Sequence, residues 1–315
     1  MTAELTETED VVDTPLGPDS LLWQCAGQRS GLLMGLYAGS MQNMHPQLGA
    51  GVEEHSDFFT ERWQRLYRSI YPINGAIFDG DRAVQTGHEV RDYHRTIKGV
   101  DKLGRQYSAL NPDTWWWAHA TFIMSGYLHR SLFVGKPLSP EESERFYQDA
   151  LVWYRNYGVT SRPCQPDWPS FVAYYEYMCA EVLEDNWATR AVLDISQLPQ
   201  MPGLEWMPDP LWRVVRRGVN AGFLWLTIGL YPQSIRDKLG FTWSRRDEAA
   251  FKVVCRGVAL TKRLTPQRFQ LHPRAQAGFD RAAGRIAPDA PLVHTPRRFL
   301  PPESERESGK HYCPF

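Results

Sequence analysis

Hydrophobic residues recur every three or four positions along most of the chain, and these runs begin at residues that favour helix starts. In LSPEESERFYQDALVWYRNYG (138–158), Ser139 is placed to cap a helix, Pro140 to occupy its first position and Glu142 to close a capping box. A similar start opens the segment at Ser244. Because no alternating pattern of useful strand length accompanies these runs, the sequence predicts an all-α fold, a single multi-helix bundle.

Composition marks both ends of this bundle. Residues 1–17 are acidic and polar and predict a flexible N-terminal arm, whereas residues 291–315 are rich in proline and charge and predict an extended tail. The domain between them, residues 18–290, is long enough to bury a sizeable core, since 43% of the chain is hydrophobic.

Charge and cysteine content restrict the class of protein. A net charge of −1 gives no electrostatic reason to expect nucleic-acid binding, and the pairs Arg216–Arg217 and Arg245–Arg246 are interpreted as solvated helix faces. The five cysteines include no CxxC pair, which favours reduced thiols over disulfides or structural zinc. The most apolar helix candidate, residues 219–232, is too short to span a membrane, and the acidic N-terminus does not resemble a signal peptide. The sequence therefore predicts a soluble cytoplasmic protein.

The segment NPDTWWWAHATF (111–122) places a single histidine beside three consecutive tryptophans. On a helix that begins at Pro112, His119 shares one stripe with apolar and small residues. These are Trp115, Trp116, Phe122, Ile123 and Gly126. A histidine in such a stripe needs partners for its nitrogens. Either a backbone carbonyl in a solid core or a metal, such as the iron of a flat haem, meets that need.

A second candidate face lies on GDRAVQTGHEVRDYHRTIKG (80–99), which the spacing predicts as one helix between two glycines. The residues on one side of it are Val84, Gly87, Arg91, His94 and Lys98. A guanidinium on a largely apolar face favours an anion or a dipole as its partner. Arg91 could therefore hold a haem propionate or polarise dioxygen, or it could form only a surface salt bridge with Asp92 or Glu89.

Residues between 44 and 58 offer an alternative metal site. His45, Glu54 and His55 could combine with His94 around non-haem iron, but no HxxxH or ExxH pair supports that arrangement. The residues from His55 to Asp57 are interpreted instead as a structural turn. Motifs of nucleophilic catalysis and nucleotide binding, such as GxSxG, a P-loop or GxGxxG, are absent from the sequence.

Several stretches together resemble one known family. They are GPDSLLWQCAG (17–27), MHPQLGAGVEEHSDF (44–58), RDYHRTIKG (91–99), YSALNPDTWWWAHATF (107–122) and KPLSPEESERFYQDA (136–150). The family includes the fungal oxygenase MpaB and the bacterial latex clearing protein, or rubber oxygenase. The resemblance extends over residues 17 to 300 and implies an all-helical oxygenase-like domain that binds haem b and uses dioxygen.

The resemblance also implies roles for individual residues. His119, in the W-x-H-A-T segment, resembles the proximal ligand of the haem iron, and Arg91 resembles the arginine of the distal side. In the rubber oxygenase a lysine three residues after this arginine can close over the iron, and a threonine follows it. Here those positions hold His94 and Arg95, so His94 is expected to be a sixth iron ligand, a proton donor, or neither. The chain also lacks the export signal expected of an enzyme that acts on an extracellular polymer.

These expectations describe a haem b-dependent oxygenase that combines dioxygen with a hydrophobic small molecule, with oxidative cleavage of a C=C bond as the implied chemistry. Arg91 and His94 are the candidate catalytic residues, and His119 is the candidate metal ligand. The candidate cofactor contacts are Trp115, Trp116, Ile123, Gly126 and Gly87. A haem-binding sensor without catalysis, a non-haem iron enzyme and a helical protein that has lost its cofactor are the alternatives. The sequence predicts neither the substrate, nor the electron source, nor the oligomeric state.

Overall fold

Helices make up most of the computed structural model, which describes residues 15–55 and 61–306. It is 65% helical, and the only sheet among the described residues is a two-stranded antiparallel pair, so the predicted all-α fold is confirmed. The helices are α1 (Leu21–Cys25), α2 (Gly35–Asn43), α3 (Pro46–His55), α4 (Arg62–Phe78), α5 (Ala83–Asp92), α6 (Pro112–Leu132), α7 (Pro140–Arg155), α8 (Trp168–Tyr177), α9 (Trp187–Leu193), α10 (Asp209–Leu230), α11 (Gln233–Leu239), α12 (Arg245–Leu264), α13 (Gln267–Gln270) and α14 (Pro273–Ala282). The strands are β1 (Lys98–Val100) and β2 (Gln106–Ser108).

The predicted helix starts are confirmed where local sequence signals were strongest. Ser139 and Glu142 form the capping box of α7, and Ser244 and Asp247 form the corresponding box of α12. The side chain of Asn111 accepts hydrogen bonds from two backbone N–H groups in the first turn of α6. Each cap satisfies donors that a helix cannot satisfy by itself, which is why a few adjacent residues were sufficient to predict it.

The segment 80–99 is not the single helix that its spacing predicts. Helix α5 ends at Asp92, and His94 lies in the turn that follows it. In this turn the N–H of His94 donates to the carbonyl of Arg91 at 2.9 Å, and the N–H of Ile97 donates to the carbonyl of His94 at 3.1 Å. The chain then enters β1, which pairs with β2. Strands of three residues are too short for an alternating pattern to predict them.

The core is built around α6, and two of its three adjacent tryptophans are fully buried. The indole N–H of Trp117 donates to the carbonyl of Met41, and that of Trp116 donates to the side chain of Gln165, each at 3.0 Å. Aromatic residues of α7 and α8 pack in the same core, among them Phe146, Tyr147, Tyr154, Phe171 and Tyr175. These two tryptophans therefore contribute buried area with their polar groups satisfied.

A buried ion pair joins the end of α4 to α14. Asp79 accepts hydrogen bonds from Arg274 Nε at 3.0 Å and from Thr86 Oγ1 at 2.7 Å. Both charged side chains are almost fully buried. Gly75 allows this close approach, since a Cβ there would lie 2.3 Å from the guanidinium carbon of Arg274.

The ends of the chain are described only in part. Residues 1–14 lie outside the described residues, so the N-terminal arm and the domain boundaries stay predictions. The proline-rich tail is described as far as residue 306, and in it Phe299 is buried and stacks on Tyr67 with ring centroids 4.0 Å apart. The four cysteines of the described part are free thiols, whereas Cys313 lies outside it. Among the described helices, none has both the length and the hydrophobicity that crossing a bilayer requires.

Candidate active site

An apolar cavity lies between α3, α4, α5 and α6, beside the short sheet. Its volume is about 670 Å³ when the open space at its mouth is included. The lining residues are Gln47, Leu48, Gly51, Ile73, Val90, His94, Ile97, Tyr107, Ala109, Trp115, Ala118, His119, Phe122 and Tyr157. The cavity therefore brings together three of the predicted site residues, His94, Trp115 and His119, in a largely hydrophobic lining.

Helix α6 divides its residues between this cavity and the core. Trp115, Ala118 and Phe122, three and four positions apart, line the cavity together with His119. Trp116 and Ile123, which the sequence also predicted as cofactor contacts, are fully buried and belong to the core. The 3.6-residue period places both sets close to His119 in sequence, so spacing alone could not separate them.

His119 is buried, and one of its ring nitrogens has a protein partner. Its Nε2 lies 3.1 Å from the backbone carbonyl of Ala150 on α7, whereas its Nδ1 has no hydrogen-bond partner among the described residues. The indole of Trp153 packs against the ring at a centroid distance of 4.3 Å. Burial lowers the pKa of His119 to about 3, although the Ala150 hydrogen bond opposes this. The imidazole is thus neutral at pH 7.

His94 has the same pattern of bonded and unbonded nitrogens. Its Nδ1 lies 2.7 Å from the carbonyl of Val90, and its Nε2 is without a partner among the described residues. The ring meets the indole of Trp115 edge to face at 5.0 Å. Burial lowers the pKa of His94 to about 4, the Val90 hydrogen bond opposes this decrease, and the charge of Arg65 adds to it.

The two bonded carbonyls determine where each imidazole carries its proton. A carbonyl oxygen can only accept, so Nε2 of His119 and Nδ1 of His94 each carry the hydrogen. In a neutral ring the other nitrogen then keeps the lone pair that a metal ion binds. Metal-binding histidines commonly donate their second nitrogen to a carbonyl in this way. Two neutral imidazoles in the lining of one apolar cavity therefore provide the type of nitrogen donor that iron binds.

The other predicted site residues lie away from the cavity. The side chain of Arg91 forms a salt bridge with Asp92 at 2.9 Å, which is the alternative that the sequence left open. A Cβ on Gly87 would lie 2.0 Å from the carbonyl oxygen of Asn156, so this glycine permits close packing of α5 against the end of α7. At Gly126 the nearest group to an added Cβ would be the ring of Phe146, at 3.3 Å.

Three positions that matter to the cavity were missed by sequence reasoning. Tyr107, in β2, lines the cavity, and its hydroxyl donates to Glu54 Oε2 at 2.6 Å and lies 2.9 Å from His55 Nε2. Tyr157, just after α7, also lines the cavity. Arg65 of α4 is buried close enough to His94 to affect its pKa. Nothing in the sequence of α4 marks this arginine as buried, and the structure buries Arg68 of the same helix as well.

The alternative non-haem site finds no support in the geometry. Glu54 and His55 interact with Tyr107 rather than with His94. Across 15–55 and 61–306, no three histidine, cysteine or acidic side chains are grouped to hold a metal ion. The predicted turn from His55 to Asp57 falls partly outside the described residues.

Comparison with known proteins assigns the chain to a family. Residues 23–260 match the family described as "ER-bound oxygenase mpaB/B'/Rubber oxygenase, catalytic domain". The chain belongs to this family. An mpaB/rubber oxygenase catalytic domain is an oxidoreductase, and the matched span contains every residue that lines the cavity. No curated protein and no solved structure matches the chain.

Proposed function

We propose that this mpaB/rubber oxygenase domain is a haem b-dependent oxygenase that uses dioxygen and a hydrophobic small molecule. The observation that carries the proposal is the cavity with two buried, neutral imidazoles, each with one nitrogen that has no hydrogen-bond partner among the described residues. The apolar lining favours a macrocycle with a hydrophobic face, and it equally favours a hydrocarbon-like substrate.

His119 would hold the iron, in agreement with the family resemblance. Its ring is fixed by the Ala150 carbonyl and by the Trp153 indole, so little conformational freedom would be lost when it binds. When bound, haem would supply an iron centre for the activation of dioxygen and for oxidative cleavage of a C=C bond.

His94 would act as a second ligand or as a hydrogen-bond acceptor. Its Nε2 carries a lone pair as long as Nδ1 donates to Val90, so donation of a proton from Nε2 would require loss of that hydrogen bond. The observed hydrogen bond therefore favours the acceptor role of Nε2 over the proton-donor role that the sequence left open. Arg91 could reach a bound cofactor only after release from Asp92, and we assign it no direct contact.

The apolar walls would exclude water and orient the substrate. Leu48 of α3, Ile73 of α4 and Ile97, just before β1, line the cavity. A substrate without charged groups would enter with little cost of desolvation. The exact substrate is left open by a lining of this kind, because such surfaces discriminate weakly among hydrocarbons of similar size.

Haem titration of the purified protein tests this proposal. The wild-type protein should gain a Soret band with a defined stoichiometry. His119→Gly should lose the band, and added imidazole should restore it, because a free ligand can replace the missing ring. His129→Gln is the matched control, since His129 is a buried histidine of the same helix that contacts Ser30 and does not line the cavity.

Two results would contradict the proposal at different levels. Failure of the wild-type protein to bind haem would exclude a haem enzyme. An unchanged spectrum in His119→Gly would exclude this ligand and direct attention to His94. If haem binds, consumption of dioxygen with a panel of apolar alkenes then separates an oxygenase from a haem-binding sensor.

A further inference from the structure

Positive charge is concentrated in one part of a chain that is almost neutral overall. The whole chain has 35 lysines and arginines against 36 aspartates and glutamates, but residues 209–270 contain twelve of the former and only four of the latter. This stretch forms α10 to α13. The overall balance of charge therefore conceals a region that attracts anions.

Helix α12 carries an apolar strip on the side that faces solvent. Its inner side is buried in the protein and consists of Phe251, Cys255 and Ala259. The opposite side is exposed, with a helical spacing of four, three and four, and consists of Val253, Gly257, Leu260 and Leu264. Leu260 is 57% exposed and Leu264 is 77% exposed. Since the solvent-facing side of a surface helix is normally polar, this strip is suited to contact an apolar partner.

A basic strip runs along α12 beside the apolar one. Lys252, Arg256 and Arg263 lie four and seven positions apart and border a groove of about 900 Å³ that is open to solvent. The end of α6 forms the other wall of the groove. Lys252 pairs with Glu248 at 3.0 Å, but no carboxylate within the described residues forms a salt bridge with the two arginines. Their charges are thus available to an external anion.

Neighbouring groups strengthen the positive field of this surface. Burial lowers the pKa of Lys262 to about 8, and the charges of Arg130 and Lys136 contribute to the decrease. The short helix α13 adds Arg268 and the exposed ring of Phe269. Aromatic and basic side chains in this combination are typical of segments that lie at a lipid–water interface.

We propose that α12 and α13 bind peripherally to the surface of an anionic phospholipid bilayer. Leu260 and Leu264 would enter the boundary between headgroups and acyl chains, and the basic strip would contact the lipid phosphates. Peripheral membrane binding requires an exposed amphipathic face, and it does not require a membrane-spanning helix. It is also independent of haem binding, so it can fail while the proposed oxygenase function stands.

The arrangement of charged and apolar residues favours a lipid surface over a second copy of the chain or a nucleic acid. A second copy of the chain, paired with α12 antiparallel about a two-fold axis, would place the basic strip against itself, which like charges oppose. A nucleic acid would neutralise the arginines but would leave Leu260 and Leu264 without an apolar partner. A bilayer surface satisfies both strips at once.

Sedimentation with vesicles tests the proposal on the full chain. The wild-type protein should bind phosphatidylcholine vesicles that contain about 30% phosphatidylserine, should bind pure phosphatidylcholine far less, and should lose binding as salt rises. The triple variant K252Q/R256Q/R263Q should reduce the partition coefficient by about 100-fold, at about fivefold for each charge. The charge-preserving variant K252R/R256K/R263K should bind like the wild type.

Two further variants separate this surface from general effects of charge and hydrophobicity. L260S/L264S should weaken binding although both basic arginines remain. R145Q/R285Q/R297Q removes three exposed arginines elsewhere on the protein and should leave binding unchanged. Circular dichroism and thermal unfolding identify any variant that fails to fold, and the lipid selectivity of the wild type then still decides the question.

Several outcomes would overturn the proposal. They are absence of wild-type binding to anionic vesicles, equal binding to neutral vesicles, and equal losses in the K252Q and R145Q triple variants. A stable dimer that L260S/L264S dissociates would assign the face to a second copy. Tighter binding to duplex DNA than to vesicles at the same salt concentration would assign the charge to nucleic acid. If vesicle binding occurs only after removal of the acidic residues 1–14, the natural occupant of this surface would be that segment of the chain and not a bilayer.

Discussion

Substitution of Gly87 by alanine tests whether this residue serves packing or the cofactor. An added Cβ would lie 2.0 Å from the carbonyl oxygen of Asn156 and 2.5 Å from its carbonyl carbon. Both are backbone atoms, so they cannot move aside by a side-chain rotation. The side chain of Asn156 further fixes this turn because its Nδ2 donates to the carbonyl of Ala76 at 2.9 Å. Helix α5 must therefore move away from α7, and His94 lies directly after α5.

The expected loss of stability is about 2 kcal/mol. Overpacking of this kind costs about 1–3 kcal/mol, with rigid backbone contacts near the upper end, while alanine in place of a helical glycine recovers about 1 kcal/mol. For a chain of this size the midpoint of thermal unfolding should fall by about 3 °C. Urea unfolding of the haem-free protein, followed by circular dichroism, measures the free energy directly. Gly222→Ala in α10 is the matched control, because no heavy atom lies within 4 Å of its added Cβ and the helix should gain stability.

Unchanged or increased stability of Gly87→Ala would refute the packing argument. If Gly87 instead makes room for a cofactor, the variant would lose haem affinity while the haem-free protein stayed as stable as the wild type. A packing role therefore predicts a loss of stability in the haem-free protein, whereas a cofactor role predicts a loss of haem affinity alone.

Three further predictions concern stability away from the cavity. Asp79→Ala should cost about 3–5 kcal/mol in urea unfolding, because Arg274 would be left as a buried, unpaired charge; a loss below 1 kcal/mol would contradict this. Burial lowers the pKa of His129 to about 4, and nearby positive charges contribute. Between about pH 6.5 and pH 4 the unfolded state therefore binds a proton that the folded state does not. As the pH is lowered through this range, the free energy of unfolding decreases by up to about 1.4 kcal/mol per pH unit for this site. His129→Gln should show a shallower acid dependence in the same range, and an identical pH profile would rule this out. Ser139→Ala should lower stability by about 1 kcal/mol through loss of its cap, whereas Ser139→Asp should retain most of it.

Local signals explain why much of the fold could be predicted. The capping box at Ser139 and the caps at Asn111 and Ser244 depend on residues three positions apart or fewer. Such short-range contacts can be predicted from the sequence directly. The position of His119 beside a cavity could also be predicted from its aromatic helical neighbours and its family motif, whereas its role as a metal ligand stays a prediction. In each case the relevant partners lie within one or two helical turns.

Features that depend on distant contacts could not be predicted in the same way. Helical spacing placed Gly87 and Gly126 on the same faces as the histidines. In the structure, the space that a side chain at Gly87 would need is filled by the backbone of Asn156, just after α7, and the space next to Gly126 is bordered by the ring of Phe146 in α7. Helix α5 stops at Asp92 although the helical spacing continues to Lys98. Arg65 is buried by tertiary packing alone. These differences arise because the periodicity of hydrophobic residues predicts which residues share a helix face, but it does not predict which other element of the fold packs against that face.

The two cavity histidines connect ligand binding to stability. Each keeps one buried nitrogen without a partner among the described residues, and an unsatisfied buried polar group costs about 1–3 kcal/mol. A ligand that binds these nitrogens removes that cost only in the folded protein, so it must stabilise the fold. At a free haem concentration of about 100 times Kd, the gain should be about 2.7 kcal/mol. His119→Gly should abolish this gain and His129→Gln should keep it. Equal haem stabilisation in wild type and His119→Gly would show that haem binds elsewhere, and the cavity would then need a different ligand.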